Sequence, residues 1–361
     1  MSAPARIPLN VLFGIQDFGP NLVRVAPDGR NLVRVNGNAD QGSALLGRRL
    51  LRVDGNGVER FSMLGSANIV PFLSPGRFAL DRFYLQKSAG LRANIGPGAI
   101  LNQIADPDVC SGALEMAAQL VGKIGRPCFN PPAAVARTSR DEVARTLDGI
   151  AGLKVPKTIR VQDPTTARIR AAIEQGGLEY PVLLRAIGTH GGVSLIKADR
   201  PDQIEEGPQR GKLHRGLYVT EFQDFMASDG RYRKFRVVVI GHDIFLRHCV
   251  IGDNWLLNAS RRASGTEQSE RDMFAAFDRE WAARLQPVFR EIGSRLDLDY
   301  FGVDCNIDDE GRVLVFEANA CMNILKNTSS SPNMWDAPIA RIKDALEERL
   351  ASPSTWCGSV G

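Results

Sequence analysis

The sequence lacks most features that mark an exported, membrane-spanning or nucleic-acid-binding protein. Its six cysteines, Cys110, Cys128, Cys249, Cys305, Cys321 and Cys357, are scattered over 361 residues without paired spacing. That pattern argues against a disulfide framework and against a zinc module. No apolar run approaches the roughly 18–20 residues needed to cross a bilayer. The first ten residues, Met1 to Asn10, have no apolar core of a signal peptide, so a cytoplasmic protein with reduced thiols is expected. Net charge is only +4, from 45 basic and 41 acidic residues; that is too little to argue for nucleic acid. Lysine is scarce, with nine against 36 arginines. There is no low-complexity segment, and the echo of Asn21–Val25 in Asn31–Val35 reads as a hairpin around Pro27–Arg30.

The chain has an ordinary globular composition, 43% hydrophobic and 24% charged. Its length suits two domains or one divided core. Residues 1 to about 100 alternate short β-like runs with turns: Leu50–Val53 before Asp54–Gly57, then Asn68–Phe72, then Arg82–Leu85. Gly112 to Ile124 has helical spacing and stops at Gly125, with Pro127 beyond. This first segment reads as α/β, and Pro131-Pro132 marks its boundary. A helix capped by Ser139 with an acidic first turn follows, then a strand at Val155–Val161 and a helix from Thr165 to Gln175. Strands are expected at Tyr180–Arg185, Val193–Lys197 and Leu217–Phe222, and a hairpin at Lys234–Ile240 and Ile244–Val250. Trp281, Leu285, Val288, Phe289, Ile292 and Leu296 form one helical stripe, which Pro287 should kink or divide. Pro338–Leu350 is helical and a Ser/Gly-rich tail ends the sequence.

The stretch that carries chemistry is Tyr300 to Asn319. Two apolar runs flank Asp308-Asp309-Glu310-Gly311, so it reads as a β-hairpin. Glu317 and Asn319, two apart, leave the same face of their strand. A four-residue loop would set Asp304 opposite Val315 on that face, whereas a one-residue bulge would reverse it. Two carboxylates and an amide oxygen are costly to bury unpaired. A hard divalent cation, Mg²⁺ or Mn²⁺, is the natural partner. Gly188-Thr189-His190-Gly191-Gly192 follows Arg185, and a strand cation beside small-residue backbone amides makes an anion site. Arg236 and Arg247 lie on otherwise apolar hairpin strands, where two arginines near a metal trio suit a phosphate or carboxylate clamp.

Taken in order, these segments resemble the ATP-grasp superfamily over roughly residues 135–330. The resemblance implies an α/β (α+β) fold of two α+β subdomains, 131–222 and 223–350. An α/β pre-ATP-grasp domain, 1–130, would precede them and a tail, 351–361, would follow. Arg185 then stands where the family has a strand lysine, and Arg140 or Arg137 for its second nucleotide lysine. Gly188, Thr189, His190, Gly191 and Gly192 would cover phosphates, and Glu221 and Phe222 would border the nucleotide. Lys234, Arg236, Arg247 and Asn258 would face phosphates and substrate; Asp304, Glu317 and Asn319 would hold the metal. The implied activity is ATP-dependent joining of a small-molecule or peptide carboxylate to an amine through an acyl phosphate. No nucleic-acid or membrane partner is expected, and a homodimer is compatible. A catalytically reduced nucleotide-binding module and a phosphotransferase on the same fold are the alternatives. The glycine-rich loop has no evident anchoring side chain, so it is expected to close only over nucleotide.

Overall fold

The computed structural model describes residues 5–14, 23–25, 33–35, 43–46, 49–54, 57–58, 65–85, 95–192, 194–206 and 215–359. The turns expected at 27–30 and about 55–56, and the expected strand start at Val193, lie outside these residues. The first sheet begins with β1 (Ile7–Gly14). In separate sheets, β2 (Val23–Val25) and β3 (Val33–Val35) pair antiparallel, as do β4 (Ser43–Leu46), β5 (Arg49–Asp54) and β6 (Gly57–Val58). With β7 (Phe78–Leu85), β8 (Ala99–Asn102) and β9 (Cys128–Phe129), β1 forms a parallel sheet in the order β7-β1-β8-β9. All of β8 is buried, as parallel strands covered on both faces require. The run Asn68–Phe72 is not a strand: Val70–Phe72 is a 3-10 turn with Pro71 inside it.

Helix α1 (Pro107–Ile124) starts earlier than its apolar spacing suggests. Asp106 is the N-cap, its carboxylate accepting from the Asp108 amide at 2.8 Å, and Pro107 occupies the first turn. The helix stops at Gly125 in the left-handed region, φ 62°. After α2 (Pro132–Val135) comes α3 (Arg140–Thr146). Ser139 precedes α3 but makes no side-chain cap; its hydroxyl donates to the Asp141 carboxylate at 2.7 Å.

After β10 (Leu153–Lys154), the strands β11 (Thr158–Val161), β12 (Val182–Ala186), β13 (Leu195–Ala198) and β14 (Leu217–Glu221) form an antiparallel sheet ordered β11-β14-β12-β13. Helix α4 (Thr166–Gln175) lays Ile169 and Ile173 on Val161, Leu184 and Val219, giving this sheet a core of its own. The third sheet contains β15 (Tyr232–Ile240), β16 (Asp243–Gly252), β17 (Tyr300–Ile307) and β18 (Val313–Asn319), in the order β10-β18-β17-β15-β16. Against it pack α5 (Glu267–Ala276), α6 (Ala282–Leu296) and α7 (Asp336–Leu350). A π turn, Phe277–Trp281, leads into α6, and α6 carries the rest of the stripe and runs on undivided through Pro287. One continuous apolar core joins the first and third sheets.

The segment 351–359, expected as a tail, is packed. Trp356 is buried with its ring edge-on to Phe129, centroids 5.2 Å apart, and the Cys128 amide donates to Gly358 at 3.2 Å. Nearby, fully buried Asp299 accepts from Arg349 Nη2 and the Cys357 amide at 2.9 Å each, and from the Asn130 amide at 3.1 Å.

Candidate active site

The β7-β1-β8-β9 sheet, the β11-β14-β12-β13 sheet and the third sheet border one cleft of about 1480 Å³. Its chemistry starts in the β17–β18 hairpin. The connecting loop is five residues, 308–312, because Ile307 pairs with Val313. Alone, that extra residue would turn Asp304 away from Glu317. A bulge at Phe316 adds a second one-residue shift, so Asp304 pairs with Glu317 and not with Val315. Two shifts cancel, and Asp304, Glu317 and Asn319 all line the cleft.

The acids are met by cations of the chain itself. Arg236 clamps Asp304 through Nε at 2.7 Å and Nη2 at 3.0 Å, and Lys234 Nζ reaches it at 3.2 Å. Burial would raise the Asp304 pKa, but Arg236 and Lys234 hold it well below the usual carboxylate range. Glu317 receives Arg140 at 2.6 Å and the Asn319 amide at 2.7 Å. Burial opposes its ionisation too; Arg140 and His190 outweigh it and keep the group ionised. Of the two candidates for the second nucleotide cation, Arg140 is the one in the cleft. Arg137 is exposed, 4.0 Å from Asp297.

Arg185 is different. On β12, it is half-buried and lines the cleft, yet pairs with no carboxylate among the described residues. Its guanidinium donates to the Thr189 carbonyl at 3.4 Å. Burial, and next the neighbouring Arg140, pull its pKa down to about 9, still charged at neutral pH. A half-buried cation with no ion-paired carboxylate among the described residues is a ready receiver for an anion.

The loop 188–192 is anchored, contrary to the expectation from its composition. His190 Nε2 lies 2.8 Å from Asp106 Oδ2, and His190 Nδ1 lies 3.6 Å from Glu317. Hydrogen bonding to Asp106 first, then to Glu317, raises the imidazole pKa to about 9. Thr189 donates to the Ala186 carbonyl at 2.7 Å, and Asn258 reaches the Gly191 carbonyl at 3.4 Å. Asn258 also caps the short turn Ala259–Arg261.

Glu221 ends β14 and Phe222 follows it, both lining the cleft. Glu221 accepts from Gln223 at 2.5 Å, and Lys197 Nζ sits 4.5 Å over the Phe222 ring. Trp255 is wall, edge-on to Phe222 at 5.6 Å. Arg247 does not line the cleft. Opposite the β15 step from Arg236 to Val237 the register shifts, and Arg247 is the unpaired bulge residue on β16. It is buried and donates to the carbonyls of Ile324 at 2.6 Å and Lys326 at 3.2 Å, so it fastens the segment after β18. His248, opposite Arg236, faces the cleft in its place.

Sequence reading missed Asp106 and Gln103 as cleft residues. An aspartate before proline at a helix start was a usable signal for Asp106. Gln103 had none; it is 1% exposed, accepts from the Ile69 amide at 2.9 Å, and its Nε2 finds no partner among the described residues.

Neither a protein-family model nor a curated protein matches the chain. Solved structures do. The D-alanine–D-alanine ligase from Coxiella burnetii aligns over 96% of this chain and 97% of its own, with 11% identity and TM-score 0.51. VanG D-Ala:D-Ser ligase from Enterococcus faecalis aligns over 97% and 99%, with 10% identity and TM-score 0.50. A RimK-domain ATP-grasp protein from Sphaerobacter thermophilus aligns over 75% and 90%, with 16% identity and TM-score 0.45. The chain has the ATP-grasp fold, across nearly its whole length.

Proposed function

We propose that this protein is an ATP-dependent ligase that joins a carboxylate to an amine. The observation that carries the reading is Arg185, a cleft cation with no ion-paired carboxylate among the described residues, beside Arg140, Lys234 and Arg236. Four cations around two carboxylates and an amide oxygen suit a polyphosphate with its divalent metal. The donor set is all oxygen, which fits Mg²⁺; Asp304, Glu317 and Asn319 would hold it. When bound, the metal neutralises phosphate charge. Lys234 and Arg236 would then turn from Asp304 towards phosphate oxygens.

In this reading a substrate carboxylate oxygen attacks the terminal phosphorus and ADP leaves. The amine then attacks the acyl carbon, phosphate leaves, and the amine gives a proton to solvent. Arg236 stands where charge develops on the acyl phosphate, and loop 188–192 excludes water from it. Arg247 acts at one remove, by holding 324–326. Phe13, Val70, Leu73, Phe78 and Leu80 extend the cleft along the first sheet, which favours a substrate with an apolar body. The second reading, a nucleotide-binding module without turnover, draws on Asp304 being already saturated by Arg236 and Lys234.

Release of ADP from Mg-ATP, screened against a panel of carboxylates with amines, separates the two. Amine-dependent ADP release is expected, together with a rise in Tm on Mg-ATP binding. Glu317→Gln should weaken Mg-ATP and lower turnover by at least a hundredfold. Nucleotide binding without any ADP release would select the module; no Tm shift at saturating Mg-ATP would remove both.

A further inference from the structure

The loop anchor has a composition that the proposed ligase chemistry does not use. Asp106 spends Oδ1 on capping α1, at 2.8 Å from the Asp108 amide, and leaves Oδ2 facing His190 Nε2. Cys321 follows Asn319 by two residues, and its amide and thiol both approach Asn319 Oδ1, at 3.0 and 3.3 Å. The ligand atoms of Asp106, His190 and Cys321 all lie within 4.8 Å of one another. All three residues also line the cleft, so a fourth coordination position would open onto it.

We propose that Asp106 Oδ2, His190 Nε2 and Cys321 Sγ form a site for a zinc-class divalent cation. One carboxylate, one imidazole and one thiolate with an open position suit a four-coordinate borderline ion far better than Mg²⁺. The oxygen set of Asp304, Glu317 and Asn319 has the opposite preference, so the cleft holds a soft and a hard site side by side. Glu317, 3.6 Å from His190 Nδ1, serves as the orienting carboxylate that metal-bound imidazoles take on their other nitrogen. On binding, the Cys321 thiol and the Asp106–His190 hydrogen bond each give up a proton to solvent. The ion then ties together three segments distant in sequence: the start of α1, the loop 188–192 and the stretch after β18. This is why cysteine spacing alone did not reveal it.

A consequence rests on the ligase reading: the ion locks the loop and engages His190 and Glu317, so it opposes loading of Mg-nucleotide. The site itself stands apart from that reading, and its test needs no nucleotide. The full-length chain, with thiols reduced, is titrated with Co²⁺ and then Zn²⁺. One equivalent of Co²⁺ should give a thiolate-to-metal charge-transfer absorption, which Zn²⁺ abolishes by displacement. Cys321→Ser should lose the absorption, and Cys357→Ser, at an exposed thiol, should keep it. His190→Gln should weaken Co²⁺ at least tenfold, and covers the case in which Cys321→Ser fails to fold. Absence of the charge-transfer band, or its loss in Cys357→Ser only, overturns the site. Separately, Zn²⁺ should lower the apparent affinity for Mg-ATP. A protein that shows the cobalt band but never binds nucleotide would keep the metal site and sink the ligase.

Discussion

At the scale of single residues, the cleft separates arginines that stabilise the fold from one that is strained by it. Arg236 gives Asp304 two charged hydrogen bonds, so Arg236→Ala should cost about 3 kcal/mol, measured by urea unfolding. Arg185 has no such debt to repay. Arg185→Ala should leave stability unchanged or higher, yet weaken Mg-ATP at least tenfold by calorimetry. The difference was only half legible in the sequence. Strand alternation is a local rule, so Glu317 and Asn319 could be placed on one face from spacing alone. Arg247 could not, because it is itself the unpaired bulge residue of β16, where strand alternation fails. Asp304 came out on the correct face through two unforeseen shifts that cancel. Partners contributed by distant segments, such as Asp106 for His190, leave no spacing to read.

At the scale of elements, the loop 188–192 shows what glycine does at two neighbouring positions. Gly188 has φ +76° and its missing Cβ would stand 3.0 Å from Val109 Cγ1 on α1; Gly191 has φ +66° and open space. Gly191→Ala should therefore cost only backbone strain, about 1 kcal/mol. Gly188→Ala adds an overlap with α1 and should cost more, with faster hydrogen exchange at 186–190 as the local readout. The sequence showed that small residues follow a strand cation. It did not show that one of them is pressed against a helix from the first sheet. The same limit shifted the start of α1: apolar spacing begins at Gly112, whereas the cap chemistry at Asp106 and Pro107 begins the helix.

At the scale of the whole molecule, α7 and the segment beyond it bind the third sheet to the first. Glu347 is buried and accepts from the Ser74 amide at 2.8 Å and Lys343 at 2.9 Å. Burial would raise its pKa, but Lys343 and Ser74 set it below the ordinary 4.5. A lowered folded pKa gives stability that is fully present above the ordinary 4.5 and lost as pH falls through the folded value. Glu347→Gln should hence destabilise at pH 7, and the difference from the parent should shrink steadily as pH is lowered below 4.5, by urea unfolding across that range. Trp356→Ala empties the contact with Phe129 and should cost about 3–5 kcal/mol. The order of helices and strands was readable because each has its own period. The packing of 351–359 was not, since a Ser/Gly-rich composition says nothing of where one tryptophan will dock.

That docking has a bearing on how the chain is made. A ribosome releases β9 early, yet the groups that cover its open side, Trp356 and Gly358, are among the last described residues to emerge. Buried Asp299, bonded to Asn130 next to β9, likewise waits for Arg349 and Cys357 before its bonding is complete. The second sheet, whose core is local to 159–219, has no such dependence and is free to form during synthesis. The first sheet, though its strands precede those of the second, is completed after it.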